Sequence, residues 1–155
     1  MIFNAIFMVI MVCIDQATKA LAKAYLAHKP LGLMVVPKAF YLTYAENTGA
    51  SFGIFKGKSR LLGIVSAVSS VALIVFLSYQ SKSAPDKRLY LFSITMIISG
   101  ALGNMVDRLF RGYVIDFFDF RLIHFAIFNV ADSLISVGAV IFCYYMLFDK
   151  ELFKG

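Results

Sequence analysis

The chain reads as an α-helical integral membrane protein, with four transmembrane helices and a small β-rich surface segment between the first two. Three observations predict this. Four apolar runs are each long enough to cross a hydrocarbon core, which takes about 20 helical residues. The runs are apolar all round, whereas helices of a soluble bundle carry a striped face. Hydrophobic residues make up 61% of the 155, against the roughly half usual in soluble domains. The length suits a single membrane domain over residues 1–155.

The first span covers residues 2–26 and is uncharged until Asp15. It lacks the basic leader of a cleaved signal peptide and reads as a retained anchor. Residues 27–60 form the β-rich segment: 33–36 and 40–45 are rich in Val, Phe and Tyr and are separated by Pro37-Lys38, as two short strands would be. Asn47-Thr48-Gly49 then reads as a turn. The second span, 61–79, carries no charge, and neither does the third, 89–110, before its end at Asp107. Residues 111–124 read as a loop, and the fourth span covers 125–148 with Asp132 as its one charge. Residues 81–87 and the last few are the candidates for disorder. Cys13 and Cys143 both fall inside spans, so no disulfide framework is expected.

The net charge of +6 is scattered. It suits contact with membrane lipid and argues against a nucleic-acid partner, which would draw the basic residues onto one polar face. Four spans put both termini on one side of the membrane, here face B, with the 80–88 loop. The connections 27–60 and 111–124 lie on the opposite face A. At about 1.5 Å of rise per residue, Asp15, Asp107, Asp116 and Asp132 all fall towards face A, with Asp132 about two turns inside its span. A carboxylate in a bilayer helix costs roughly 2.5–3.5 kcal/mol, so such residues mark a functional site by default.

The chemistry of that site narrows by elimination. His28 and His124 have no ligand spacing, so no metal centre is expected, although hard-cation binding by the clustered carboxylates stays open. Lys19 is embedded enough to serve a serine protease as base, but Asp15 lies four residues before it and would hold it charged. Asp15 with Lys19, and Asp107 with Arg108, read as structural ion pairs, and Asp119 reads as a solvated interfacial charge. Asp116 and Asp132 have no basic residue within four positions. Two carboxyls sharing a dry pocket need no cofactor: one ionises and takes a proton from water, while the other stays protonated and polarises a carbonyl.

The motifs resemble those of the signal peptidase II (lipoprotein signal peptidase) family. Asp15-Gln16-Ala17-Thr18-Lys19 is similar to the family's D-Q-x-x-K motif, and Asn47 to Gly53 to its N-T-G-A-[AS]-F-[GS] block. Gly100 to Asn104 with Asp107-Arg108, Gly112 to Phe117, and Phe128 to Ser133 resemble three further blocks. Five in order across nearly the whole chain are specific where any single one would be weak.

The resemblance implies a cofactor-independent aspartic endopeptidase of the bacterial cytoplasmic (inner) membrane, multi-pass and monomeric, with the β-rich segment and active site facing the periplasm or cell exterior. Asp116 and Asp132 would be its catalytic pair. Asn129 would donate a hydrogen bond to the pair or the substrate. Asn47 and Arg108 would be substrate contacts, with Asp107 orienting Arg108, and Asn104 falls in the matched third block. Asp15 and Lys19 would be structural, and Gly49, Gly103 and Ala131 would allow close backbone approach. The implied substrate is a diacylglyceryl-modified prolipoprotein, cut on the amino side of its lipidated cysteine.

One principle opposes that orientation. Face A carries Lys23 at the end of the first span and Lys29, Lys38, Lys56, Lys58 and Arg60 in its first connection, which the positive-inside rule would place in the cytoplasm. Two other classes also stand beside the peptidase. A small proton-coupled transporter subunit would use Asp15 and Asp132 as relay carboxylates, but transport sites lie near the midplane on broken helices. A non-catalytic assembly subunit explains the spans but not the acids.

Overall fold

The computed structural model describes residues 2–49, 54–123 and 125–149. Its elements run α1 (Ile2–Leu26), β1 (Leu33–Val36), β2 (Phe40–Asn47), α2 (Ser59–Ser83), α3 (Arg88–Phe110), β3 (Val114–Phe120), a 3-10 turn (Arg121–Ile123) and α4 (Val130–Phe148). The four helices span the membrane, and their composition shows how. Val65, Val68, Val71 and Val75 on α2 and Val140, Tyr144 and Leu147 on α4 are exposed, a belt of apolar side chains that lipid tolerates and water does not.

α3 is the helix the others surround. It buries residues on every face, including Tyr90, Ile94, Ile98, Asn104 and Asp107. The hydroxyls of Ser93, Thr95 and Ser99 donate to the carbonyls of Tyr90, Leu91 and Thr95, so these three buried hydroxyls are satisfied within the helix. Small residues let α4 approach closely. A Cβ on Gly100 would lie 2.2 Å from the Ala131 carbonyl oxygen. Towards face B, Leu77, Tyr90, Leu91, Ile94 and Ile98 form one apolar core, with Gln80 Nε2 donating to Tyr90 Oη at 2.7 Å. Towards face A, Ala22 and Leu26 of α1 pack under Ile115 and Phe117 of β3.

The structure departs from expectation in four places. The segment 111–124 is not a loop: Val114–Phe120 pairs antiparallel with β2 and completes a three-stranded sheet ordered β1-β2-β3. Its residues are buried on both faces, so the polar alternation that betrays a half-exposed strand is missing. Asp119, expected in water, is buried in that strand and accepts from Thr43 Oγ1 at 2.9 Å and Arg121 Nε at 2.7 Å. α4 starts at Val130, because the apolar residues before it run extended and Phe128 bridges to Phe118. Asp132 therefore sits in the first turn of α4, not two turns inside. α2 extends to Ser83, so residues 81–83 are helical, and a hydrogen-bonded turn follows from Ala84 to Lys87. The C-terminal residues expected to be disordered, 150–155, lie outside the described residues.

Candidate active site

The start of α4 sets the geometry. Asn129 is its N-cap: its Oδ1 accepts from the Asp132 backbone N–H at 3.0 Å, and Asp132 Oδ2 accepts from the Asn129 backbone N–H at 3.2 Å. This reciprocal capping box fixes the Asp132 carboxylate at a helix N-terminus, where partial positive charge favours an anion. The same asparagine reaches the other acid. Its Nδ2 donates to Asp116 Oδ1 at 2.7 Å, so one side chain touches both carboxyl groups.

Asp116 comes from β3, paired across the sheet with Ala45 of β2. Asn47, at the end of β2, donates through Nδ2 to Asp116 Oδ2 at 3.1 Å and accepts through Oδ1 from the Gly49 N–H at 3.0 Å, closing the expected turn. The rest of that block, residues 50–53, lies outside the described residues. From α3, Asn104 Nδ2 donates to Asp132 Oδ1 at 2.7 Å. Each oxygen of each acid therefore has a donor.

Below the pair lies a buried ionic knot. Lys19 Nζ is 2.8 Å from Asp15 Oδ2, 2.8 Å from Asp107 Oδ2 and 3.0 Å from Asn104 Oδ1, and Lys19 and Asp107 are both fully buried. Asp15 Oδ1 also accepts from the Ala131 N–H at 3.0 Å, and a Cβ on Gly103 would lie 2.6 Å from Asp15 Oδ2. The structure corrects one expected pairing. Asp107 binds Lys19 and Arg111, not Arg108. Sequence reasoning passed over Arg111, although its i,i+4 spacing from Asp107 was the available signal. Arg108 instead donates to the Gly49 carbonyl at 3.4 Å, and its buried Nε has no hydrogen-bond partner among the described residues.

Asn47, Arg108, Asp116, Phe128 and Asp132 line a cavity of about 390 Å³ whose other walls include Phe125, Ile127 and Val137. Its chemistry is that of a carboxyl pair in an apolar recess. Burial, then the Asp132 charge, pushes the Asp116 carboxyl up to about 7, against the opposing hydrogen bonds from Asn47 and Asn129. Near neutral pH the Asp116 carboxyl is thus poised between its protonated and ionised forms, as a general acid must be. A metal reading fares worse. Asp15 and Asp107 are held by Lys19, and among the described residues no group of three His, Cys, Asp or Glu side chains is placed to hold an ion.

The profile of the family described as Signal peptidase (SPase) II matches residues 7–148. The chain belongs to the signal peptidase II family. As a member of this peptidase family it is 44% identical over 138 residues to the lipoprotein signal peptidase of Caldanaerobacter subterraneus subsp. tengcongensis, covering 88% of this chain and 90% of that one. It is 34% identical over 152 residues to the lipoprotein signal peptidase of Clostridioides difficile, covering 94% and 95%. A bacterial membrane enzyme solved by the in meso method at 2.3 Å superposes with a TM-score of 0.83 at 31% identity, covering 95% of this chain and 88% of that one. The signal peptidase II membership and the four spans make this a bacterial inner-membrane, multi-pass protein.

Proposed function

We propose that the chain is an aspartic endopeptidase that removes the signal peptide from diacylglyceryl-modified prolipoproteins, cutting on the amino side of the lipidated cysteine. The observation that carries this reading is Asn129 holding Asp116 and Asp132 together at the wall of one cavity. The ionised carboxyl takes a proton from water as it attacks the scissile carbonyl, and the protonated one donates to the carbonyl oxygen. The tetrahedral intermediate then collapses, and the leaving amine takes up a proton from the pair. Arg108 lines the same cavity and its guanidinium is suited to a substrate carbonyl. The curated relatives' name, lipoprotein signal peptidase, supports the substrate class.

The surroundings fit a lipidated substrate. The cavity's apolar walls suit a signal helix and acyl chains, and the exposed Leu33, Met34, Val35 and Val36 of β1 give the sheet an apolar edge at the membrane surface. A transporter reading draws less support, because Asp15 is neutralised by Lys19 and the free carboxyls gather at one end of the bundle. In a bacterial host lacking its own enzyme of this class, expression of the chain is expected to convert accumulated diacylated precursor to mature lipoprotein. Unchanged precursor in the presence of correctly inserted protein would count against the proposal.

The substrate's lipidated cysteine lies at the outer surface, so the sheet and cavity belong outside the cytoplasm. The basic residues of face A then hold the sheet against anionic headgroups, each worth about 1 kcal/mol. Single cysteines at Lys38 and Ser83, with Cys13 and Cys143 replaced, are expected to react with an impermeant maleimide in intact cells at 38 and not at 83. The reverse pattern would overturn this orientation.

A further inference from the structure

We propose that Lys19 and Asn104 are positioning residues that make the two aspartates inequivalent, fixing Asp132 as the base and Asp116 as the acid. The inference rests on the carboxyl-pair reading above and goes beyond it, since a symmetric pair could exchange roles. The two sites are not symmetric. Asp132 stands in the first turn of α4, bonded to a backbone N–H and to Asn104 Nδ2. Asn104 cannot turn its amide over, because its Oδ1 is held by the Lys19 ammonium at 3.0 Å and by Asn129 Nδ2 at 3.2 Å. Its N–H groups are therefore committed to Asp132, and the ammonium polarises the amide in the direction that strengthens that donation.

Asp116 has no helix end and no cation-backed donor. It sits on a buried strand and accepts from two neutral amides, Asn47 and Asn129. Arg108 lines the cavity beside both acids, so the asymmetry lies in the hydrogen bonds and not in that cation. The remaining ions of the knot, Asp15, Asp107 and Arg111, offset one another around Lys19. In the working state Asp132 is the anion that deprotonates water. Asp116 carries the proton that goes to the carbonyl oxygen.

The experiment is the pH dependence of kcat/KM for cleavage of a diacylated lipobox peptide by the purified wild type and by Asn104→Ala and Asn47→Ala. If Asp132 is the base, the acid limb reports its protonation and the alkaline limb reports ionisation of Asp116. Asn104→Ala should move the acid limb up by about one pH unit and leave the alkaline limb in place. Asn47→Ala should move the alkaline limb up by a similar amount and leave the acid limb in place. Should Asn104→Ala fail to fold, the limb that Asn47→Ala moves decides the assignment by itself. Lys19→Met, assayed below its own melting midpoint, should displace the acid limb in the same direction as Asn104→Ala. Interchanged limbs would overturn the roles while leaving the carboxyl pair intact, and an unmoved acid limb in Lys19→Met would remove the lysine from the device. A wild-type profile without either limb would instead overturn the carboxyl-pair reading itself.

Discussion

Asp116→Asn and Asp132→Asn are each expected to lower kcat roughly 10³-fold or more, since in the proposed reaction either change removes one half of the paired acid and base. Their effects on stability should differ, and that difference separates catalysis from folding. Asp116 is held protonated by burial, its carboxyl moving from an ordinary 3.8 to about 7. The folded protein therefore keeps a proton that the unfolded chain loses, and stability falls as pH rises from about 4 to about 7. An asparagine carries no such ionisation penalty but sets its own amide nitrogen against the Asn47 or the Asn129 donor, so at pH about 8 Asp116→Asn should melt near the wild-type temperature while being inactive. Asp132→Asn keeps the cap to the Asn129 N–H but sets its own amide against Asn104 Nδ2, which Lys19 prevents from flipping. A modest drop in melting temperature is expected there. Activity measured beside thermal unfolding in detergent checks both, and near-normal turnover by either variant would remove that residue from the pair.

Lys19→Met is expected to be the most destabilising single change, at about 3–5 kcal/mol, the usual cost of removing one partner from a buried ion pair. It strands two carboxylates. Asp15 keeps the Ala131 N–H and Asp107 keeps Arg111, so the loss is partial for each, but both lose a contact of 2.8 Å in a site without water access. Asp15→Asn in the same chain should recover part of the loss, because it removes one of the stranded charges. Asp15→Asn by itself should act through stability more than through catalysis. A melting temperature for Lys19→Met equal to that of the wild type would mean the knot contributes nothing to the fold.

The four spans were legible because lipid imposes a simple rule: about 20 apolar residues per crossing, with the backbone bonded to itself. α1 matched its expected bounds, and β1 did too. What failed was non-local. β3 pairs with a strand about seventy residues earlier in the chain, and its Val-Ile-Asp-Phe-Phe-Asp-Phe sequence is buried on both sides, so no period of two was there to read. Asp132 was placed too deep because apolar Phe125 to Phe128 looks like helix, although Asn129 three residues before Asp132 is a capping signature that locates the true start. Asp107 was paired with Arg108 by adjacency, yet neighbours on a helix point about 100° apart and do not face each other, whereas Arg111 one turn on does.

The site divides in the same way. Asp116 and Asp132 stood out in the sequence as acids without basic neighbours in an apolar chain. Asn104 and Asn129 carry no such signal by themselves, and they came from the motif resemblance. Their roles became readable in the structure, where α3, α4 and β3 bring residues 104, 129 and 116 together.

The most direct measurement is mass spectrometry of the products formed by the purified protein from a synthetic diacylglyceryl lipobox peptide, in detergent and in excess EDTA. Two fragments are expected that together exceed the substrate by one water, with the new amino terminus on the lipidated cysteine. The chelator should have no effect, because Lys19 occupies the two deepest carboxylates and no adequate donor set is gathered among the described residues. An uncut peptide, a break elsewhere in the sequence, or activity lost in EDTA and restored by a divalent ion would contradict the account.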